Sequence, residues 1–273
     1  MTVSWLLSKD VFSEDSDGFT DELFKRAMPY KVVDYSTFVD SSKYYTIFPE
    51  DSCVVYYGSL FGANCVQRCT NWTPGVIYNK PNYYCSAYYP VFGDLLLNQN
   101  YIMMPLGDLF RRQQYVFDNI GDGNNVFIRP NSGHKLFNGE VWYRENLEQE
   151  LSYLDGKVDF TSIVVLAEPK NILAEWRFFV VDSKVITGSR YKLKTRLSID
   201  RDCPTQACEL AMEAAKLYNP DRAWSLDICL TGDGYKILEI GCFACSGLYA
   251  CDKATIIDSI AKIAKEEYLE RLS

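Results

Sequence analysis

One stretch near the carboxyl end constrains the fold more than any other, residues 224–241. It holds two mainly apolar runs, Trp224 to Leu230 and Tyr235 to Ile240, on either side of a Thr-Gly-Asp-Gly turn. This pattern predicts a β-hairpin. Each run carries one carboxylate among apolar neighbours, Asp227 in the first and Glu239 in the second. A lone carboxylate is costly to bury unless a positive group offsets it.

Two acids on paired strands lie close enough to share one cation. Hard carboxylate oxygens are the ligands that Mg²⁺ prefers, and an open Mg²⁺ site commonly takes a phosphate-bearing ligand as well. Asp227 and Glu239 are therefore predicted to hold Mg²⁺. The alternative is a plain hairpin with two half-exposed acids.

Composition narrows the class of protein. The chain has 273 residues, 48% of them hydrophobic and 15% aromatic, which is enough for a large core. Its formal net charge of −8 argues against a broad nucleic-acid surface and against an anionic membrane surface. It has no apolar run of transmembrane length, and its first residues lack the pattern of a secretory signal. We therefore expect a cytoplasmic protein.

The ten cysteines leave two interpretations open. Cys242 and Cys245, followed by Cys251, have the spacing of some zinc ligands, but no second Cys-x-x-Cys pair accompanies them. The only histidine, His134, lies far away in the sequence. Reduced and mostly buried thiols are the alternative to a thiol-based metal protein, and we expect the former.

The first 118 residues are predicted to form an amino-terminal lobe. Residues 54–57 read as a buried strand, and 58–62 as a glycine-bearing turn. Residues 72–92 are crowded with tyrosines, which either pack on the lobe itself or stack on a base or a peptide. Residues 106–117 predict one amphipathic helix. The Gly- and Asn-rich loop at 118–125 marks the expected boundary.

Basic residues come early in the second half. Arg129 ends a predicted strand, and Lys135 follows in the small polar loop 131–139, so two cations are within reach of one anion. The alternative for Lys135 is a solvated loop residue. Arg177 and Arg190 lie in the apolar strands of a second predicted hairpin, where a guanidinium needs an anionic partner. That partner is either a ligand or a neighbouring carboxylate.

The order of these pieces is informative. Basic groups come first and the two acids of the hairpin come last, as a nucleoside triphosphate held between two antiparallel sheets requires. The polyphosphate takes Arg and Lys, and the Mg²⁺ that bridges its oxygens takes acids. The chain has neither a P-loop motif nor the kinase signature set, which excludes those two ATP-binding folds.

At this point the sequence resembles the ATP-grasp superfamily. It looks most like the divergent clade named for one arginine and two lysines, which has phage and bacterial members and includes a eukaryotic regulator that assembles a translation initiation factor. The resemblance covers about residues 119–252. The stretches that carry it are Phe127-Ile-Arg-Pro-Asn-Ser-Gly-His-Lys-Leu-Phe-Asn-Gly139, Glu175-Trp-Arg-Phe-Phe-Val-Val181, Thr187-Gly-Ser-Arg-Tyr191, Leu226-Asp227, Leu238-Glu-Ile240 and Ser246-Gly-Leu-Tyr249.

The resemblance implies a role for each candidate residue. Arg129 and Lys135 would contact the phosphates, and Glu168, with the Pro169-Lys170 backbone, would border the adenine and ribose. Arg177 and Arg190, with Lys135, would act on the transferred phosphate and the acyl-phosphate. Asp227 and Glu239 would hold Mg²⁺. One departure stands out, because the superfamily usually has Glu-x-Asn at the metal and this chain has Glu239-Ile-Gly241.

The resemblance also implies the architecture and the activity. The expected fold is α+β, an ATP-grasp fold whose two antiparallel-sheet subdomains clasp ATP. Residues 1–118 would be an α/β pre-ATP-grasp lobe and 119–273 the ATP-grasp domain, with a lid at about 119–165. The expected function is an ATP-dependent carboxylate–amine ligase that forms an acyl-phosphate and acts on a peptide or protein. The alternative is an ATP-binding assembly factor with little ligase activity.

Overall fold

The structure is a computed structural model that describes residues 2–9, 13–133 and 136–273. Strands and helices alternate along the first third, and strands dominate the remainder. The strands are β1 (Ser4–Ser8), β2 (Tyr30–Val33), β3 (Cys53–Tyr57), β4 (Thr73–Gly75), β5 (Tyr101–Pro105), β6 (Asn125–Pro130), β7 (Glu140–Tyr143), β8 (Ile163–Ala167), β9 (Ala174–Val181), β10 (Lys184–Leu193), β11 (Arg196–Asp200), β12 (Ala223–Thr231) and β13 (Gly234–Cys242). The α-helices are α1 (Ser13–Lys25), α2 (Tyr35–Val39), α3 (Tyr44–Ile47), α4 (Leu60–Cys69), α5 (Cys85–Phe92), α6 (Asp108–Arg111), α7 (Gln113–Asn119), α8 (Leu147–Leu154), α9 (Thr205–Leu217) and α10 (Lys253–Leu272).

The chain forms two compact units. The first contains the described residues of 1–79, 174–228 and 239–273, and the second those of 80–173 and 229–238. Residues 80–118 are thus in the same unit as 119–173. The division into lobes at residue 118 remains a proposal.

A parallel sheet organises the start of the first unit. Its strand order is β2-β1-β3-β4, and each neighbouring pair runs parallel. Trp5 of β1 is fully buried and meets the rings of Phe19 and Phe243 edge-on, at 5.3 Å and 6.4 Å between centroids. Helix α10 begins at its N-cap Asp252, whose carboxylate accepts from the Thr255 amide at 3.1 Å. The isoleucines of α10 belong to the same core.

A second sheet has the strand order β11-β10-β9-β12-β13. The predicted hairpin of β9 and β10 is confirmed, and the two strands are antiparallel. Its two-residue turn has positive φ angles at Asp182 (46°) and Ser183 (62°), the conformation that suits the twist of a tight hairpin. The hairpin strands predicted around Asp227 and Glu239 are β12 and β13.

The third sheet lies in the second unit, with the order β5-β8-β6-β7 and antiparallel pairing throughout. Side chains alternate between its two faces, as the period of a strand requires. In β6, Val126 and Ile128 are buried in a core that includes Trp142. Phe127 and Arg129 are half-buried on the other face.

Two local predictions are wrong. Residues 58–62 are not a free turn, because Ser59 caps α4 and its hydroxyl accepts from the Gly62 amide at 3.1 Å. A Cβ on Gly62 would lie 2.2 Å from the Tyr56 hydroxyl, so close packing rather than chain reversal requires this glycine. Residues 106–117 form two short helices, since Arg112 leaves helical geometry between them (φ −108°, ψ 12°).

The aromatic stretch 72–92 contributes to the protein's own core. Tyr88 and Tyr89 lie on α5, are almost fully buried, and meet edge-on at 5.0 Å. Tyr89 also meets the Tyr101 ring at 4.9 Å. The interpretation that these rings pack on the molecule itself is therefore supported over a base-stacking surface.

All ten cysteines are free thiols, half of them buried, as expected. The described residues include no group of three or more His, Cys, Asp or Glu side chains placed to hold a metal ion. This leaves the thiol-based metal hypothesis without a ligand set. Among the described residues, none of the helices is both long and apolar enough to cross a membrane.

Candidate functional site

A buried ion pair joins Asp227 of β12 to Arg177 of β9. Asp227 is only 2% exposed. Arg177 donates to both of its carboxylate oxygens, from Nε at 2.8 Å and from Nη2 at 2.7 Å. This bidentate geometry is the strongest that arginine makes with a carboxylate. The carboxylate partner of Arg177 is thus Asp227, and not Glu175 or Glu239.

Two tyrosines flank the Arg177 guanidinium. The rings of Tyr191 and Tyr249 are stacked almost parallel, with centroids 4.8 Å apart. The guanidinium carbon lies 5.6 Å from the Tyr191 centroid and 5.2 Å from that of Tyr249, within the range of cation–π attraction. Nη1 donates to the Gly247 carbonyl at 3.2 Å. Rings, carbonyl and carboxylate together hold Arg177 in one orientation.

Glu175 extends this cluster of buried charges. It is 4% exposed and lies on β9 two residues before Arg177, so both side chains leave the same face of the strand. One oxygen of Glu175 accepts from the Tyr191 hydroxyl, and the other lies 2.8 Å from the Lys192 ammonium. The Tyr191 hydroxyl also donates to Asp227 at 3.4 Å. We call Glu175, Arg177, Tyr191, Asp227 and Tyr249 the arginine cluster.

Electrostatics in the arginine cluster are strongly perturbed. Burial raises the pKa of Asp227 above its ordinary value, the Arg177 charge opposes this rise, and Glu239 and Glu175 add to it. Burial lowers the pKa of Arg177, but the charge of Asp227 outweighs burial and the net pKa is well above its usual value. Burial, and then the Asp227 and Glu175 charges, raise the pKa of Tyr191. Such perturbed groups concentrate at functional sites.

The residues present fit a divalent cation. Asp227 and Glu239 lie on neighbouring strands, and the charge of Glu239 acts on Asp227. Both supply hard carboxylate oxygens, which suit Mg²⁺. Arg177 takes one lone pair from each Asp227 oxygen, and each oxygen keeps a second. Asp227 can therefore serve a cation and Arg177 together.

Position 241 is closed by two serines. A Cβ on Gly241 would lie 2.7 Å from the Ser225 Oγ and 3.0 Å from the Ser246 Oγ. The two hydroxyls are buried, 2.7 Å apart, and they also bond to the carbonyls of Gly241 and Cys242. The space in which an asparagine side chain would begin is thus filled by hydroxyl groups.

Restoring a side chain at residue 241 is therefore expected to destabilise the protein. Gly241→Ala should lower the free energy of unfolding by about 1–3 kcal/mol, because the added carbon overpacks a buried site. Chemical denaturation measures the loss. In a Ser225→Ala background the nearer hydroxyl is absent, so Gly241→Ala should cost clearly less there. Equal costs in both backgrounds would contradict the overpacking explanation.

A separate cavity of about 190 Å³ lies in the second unit. This is less than the roughly 300–1,000 Å³ of a whole small-molecule site, so it suits one end of a ligand. Backbone bonds fix its walls: the Leu97 amide donates to the Ile237 carbonyl at 2.8 Å, and the Lys236 ammonium donates to the Asp94 carbonyl at 2.6 Å. The lining residues are Leu97, Asn98, Gln99, Asn100, Ala167, Glu168, Lys170, Thr231, Asp233 and Lys236.

The cavity contains two of the predicted nucleotide-binding residues and one that the sequence did not suggest. Glu168 and Lys170 both line it and form an ion pair with each other. Asn98 lines it too, is only 5% exposed, and its side-chain amide forms no hydrogen bond with any described residue. A buried amide without a partner is costly, which marks Asn98 as a group that a ligand would satisfy.

The other predicted residues lie elsewhere. Arg190 of β10 is opposite Trp176, whereas its neighbour Ser189 is opposite Arg177, so Arg190 leaves the other face of the sheet. Its guanidinium pairs with Asp200 at 3.3 Å and Asp202 at 3.7 Å. Arg129 is on β6 in the second unit, opposite Val165. Lys135 lies outside the described residues, so its predicted role stays a prediction.

Sequence reasoning missed part of the arginine cluster. Tyr191 and Tyr249 stand at the ends of two stretches that carry the resemblance, but nothing in their spacing shows that their rings meet. Glu175 is not among the residues to which the resemblance gives a role. A signal did exist for it, because Glu175 and Arg177 alternate on one strand and both lie among apolar residues.

Solved structures with the same fold span nearly the whole chain. D-cycloserine synthetase DcsG is 12% identical with a TM-score of 0.66, and the match covers 97% of this chain and 100% of that one. The D-alanine–D-alanine ligase from Bacillus anthracis complexed with ATP is 13% identical with a TM-score of 0.61, covering 99% of both chains. ATP-grasp ligase PsnB complexed with a minimal precursor is 15% identical with a TM-score of 0.56, covering 95% and 98%. At these identities the likeness shows the fold.

A family model decides the membership. No curated protein sequence gives a match. The model of an ATP-grasp domain, described as family 3 of its clade, matches residues 103–260, more than half of the chain. The predicted fold class, an α+β ATP-grasp fold with two antiparallel sheets and an amino-terminal parallel-sheet lobe, is confirmed. The chain belongs to this family of ATP-grasp domains.

Proposed function

We propose that the chain is an ATP-dependent ligase that joins a carboxylate to an amine. A substrate carboxylate oxygen attacks the γ-phosphorus of ATP and releases ADP, which gives an acyl-phosphate. The amine nitrogen then attacks the acyl carbon, and phosphate leaves. The observation that carries this proposal is the arginine cluster, in which a buried Arg177 is fixed by Asp227 and two aromatic rings.

Arg177 suits the stabilisation of charge during phosphoryl transfer. Asp227, Gly247 and the tyrosine rings hold its guanidinium in place, so little reorganisation is needed when negative charge develops beside it. Its raised pKa keeps it charged at any physiological pH. Arg190, paired with Asp200 and Asp202, would act on the acyl-phosphate only after exchanging those partners.

Asp227 and Glu239 would hold Mg²⁺, which supplies charge neutralisation at the phosphates when bound. In the second unit, Arg129 and Lys135 would contact the phosphates, and Glu168, Pro169 and Lys170 would border the adenine and ribose. The Glu168–Lys170 pair and the cavity beside it support this assignment. We keep the division into a lobe of residues 1–118, an ATP-grasp domain of 119–273 and a lid at about 119–165 as part of this proposal.

The proposed substrate is a peptide or protein. Structures of the similar ligase PsnB are described with precursor peptide PsnA2, which supports a polypeptide substrate for this chain. Location in the cytoplasm and a relation to phage members remain predictions. A direct test incubates the protein with ATP, Mg²⁺ and cell extract, and then measures phosphate release and polypeptides of altered mass. ATP-dependent release together with a condensation product supports the proposal, and the absence of both contradicts it.

An ATP-binding assembly factor with little ligase activity is the second candidate. The observation that favours it is position 241, where the serine hydroxyls fill the space of the usual metal-binding asparagine. The two functions are distinguished by turnover. An assembly factor binds Mg·ATP but forms no condensed product with any fraction of the extract.

The cavity yields a prediction about the nucleotide. Asn98→Leu is expected to weaken ATP binding by about tenfold or more, because a ligand loses the partner that the buried amide offers. The same change should leave the protein as stable as the parent or more so, since it removes an unsatisfied amide. Equilibrium binding of ATP and thermal melting measure the two effects. Gln99→Leu is the matched control on the same loop; unchanged ATP affinity of the Asn98 variant would remove the residue from the site.

A further inference from the structure

Strand β11 is a free edge of the five-stranded sheet. It is the last strand in the order β11-β10-β9-β12-β13 and pairs only with β10. Its backbone has one further contact within the described part of the chain, from the Arg190 Nε to the Ser198 carbonyl at 3.5 Å. The outward backbone groups of an edge strand are a template for an added strand.

The same edge exposes large apolar side chains. Leu193 of β10 is 47% exposed, and Leu197 and Ile199 of β11 are 65% and 46% exposed. Leu197 and Ile199 are two residues apart, so they share one face of the strand. An exposed apolar edge is a liability unless a partner covers it.

Charge indicates which partner fits. Residues 190–201 contain five basic side chains and one acid, in a chain whose net charge is −8. Arg190 and Lys192 form ion pairs with acids of the protein. Lys194, Arg196 and Arg201 form none with any described residue, so their charges are available to a negatively charged ligand.

The edge is connected to the arginine cluster. Leu197 is directly opposite Lys192 in the strand pairing. The Lys192 ammonium lies 2.8 Å from Glu175, and the other Glu175 oxygen accepts from Tyr191. A ligand on β11 is therefore two side chains away from the arginine cluster.

We propose that β11 binds an extended acidic peptide as an added sixth strand. Main-chain hydrogen bonds would provide affinity, and the alternation of Arg196, Leu197 and Ile199 selects a peptide that alternates acidic and apolar residues. This inference names the substrate class of the proposed ligase and so rests on that function.

The test uses a labelled peptide and fluorescence anisotropy, without nucleotide. The probe is fluorescein-Gly-Glu-Val-Glu-Leu-Glu-Val-Glu-amide. Arg196→Glu combined with Leu197→Ser is expected to weaken its binding by about tenfold or more. Lys216→Glu combined with Leu217→Ser is the matched control, because both residues are exposed at the end of α9, and its affinity should equal that of the parent. Equal affinities of the two double variants would overturn the proposal.

Two modified peptides separate strand pairing from charge alone. A peptide with Lys in place of each Glu should bind about tenfold more weakly or worse. N-methylation of every second residue removes the strand donors, and one of its two registers should abolish binding. Tight binding of both N-methylated peptides would overturn strand addition, as would sedimentation showing that a second copy of the chain covers β11. Peptide binding without Mg·ATP binding would contradict the ligase function alone, and ATP turnover without peptide binding would contradict the docking alone.

Discussion

Asp227→Asn is expected to lower the free energy of unfolding by about 3–5 kcal/mol and to reduce ATP turnover to background. The carboxylate is 2% exposed and takes both donors of a guanidinium that is itself only 12% exposed. The amide keeps the shape of Asp227 but leaves the charge of Arg177 buried without an anion. Urea denaturation and a phosphate-release assay measure the two effects.

A double-mutant cycle tests whether the ion pair is the cause. Arg177→Met alone should also be strongly destabilising, because it leaves Asp227 charged and unpaired. The variant with both changes has no buried charge and should be more stable than the sum of the single losses predicts, by about 2–3 kcal/mol. Additive losses would mean that the two residues contribute independently.

The chain offers a matched control for this prediction. Asp182 and Arg222 form a pair of the same bidentate geometry at 2.8 Å and 2.9 Å, but their side chains are 41% and 31% exposed. Asp182→Asn should cost no more than about 1 kcal/mol, since an exposed pair is screened by solvent. A similar loss for Asp182→Asn and Asp227→Asn would show that burial is not what makes the Arg177 pair important.

Glu239→Gln is expected to reduce ATP turnover by about a hundredfold or more while the protein stays folded. The side chain is half-buried on β13, so water and its neighbours accommodate the amide, whereas Mg²⁺ loses a charged ligand. Turnover measured against Mg²⁺ concentration, together with a melting curve, separates the two properties. Glu213→Gln, on the exposed face of α9, is the control and should behave as the parent. Full turnover in the Glu239 variant would place the metal elsewhere.

The hairpins could be predicted because their signals are local. Alternating apolar residues, the Gly-Asp-Gly sequence and the Asp182-Ser183 turn indicate two-residue period and tight reversal without any tertiary information. The long helices were predictable for the same reason. The break at Arg112 was not, because no glycine or proline marks it. Only the packing of α6 and α7 decides where the helical geometry ends.

The site was predictable in its residue types and less so in its contacts. Arg177 and Asp227 are 50 residues apart, and only the pairing of β9 and β12 brings them together. The stacking of Tyr191 on Tyr249 and the partnerless Asn98 depend on tertiary packing in the same way. Local sequence shows that a buried arginine needs an anion, but it does not identify that anion.

Calorimetric titration of ATP with and without Mg²⁺ tests the central claim most directly, which is that this chain binds Mg·ATP through Asp227 and Glu239. We expect one ATP per chain in the presence of Mg²⁺, binding weaker by about tenfold or more without it, and no Mg²⁺ dependence in Glu239→Gln. No binding of Mg·ATP up to millimolar concentration, or equal affinity with and without Mg²⁺ in the parent protein, would contradict the account.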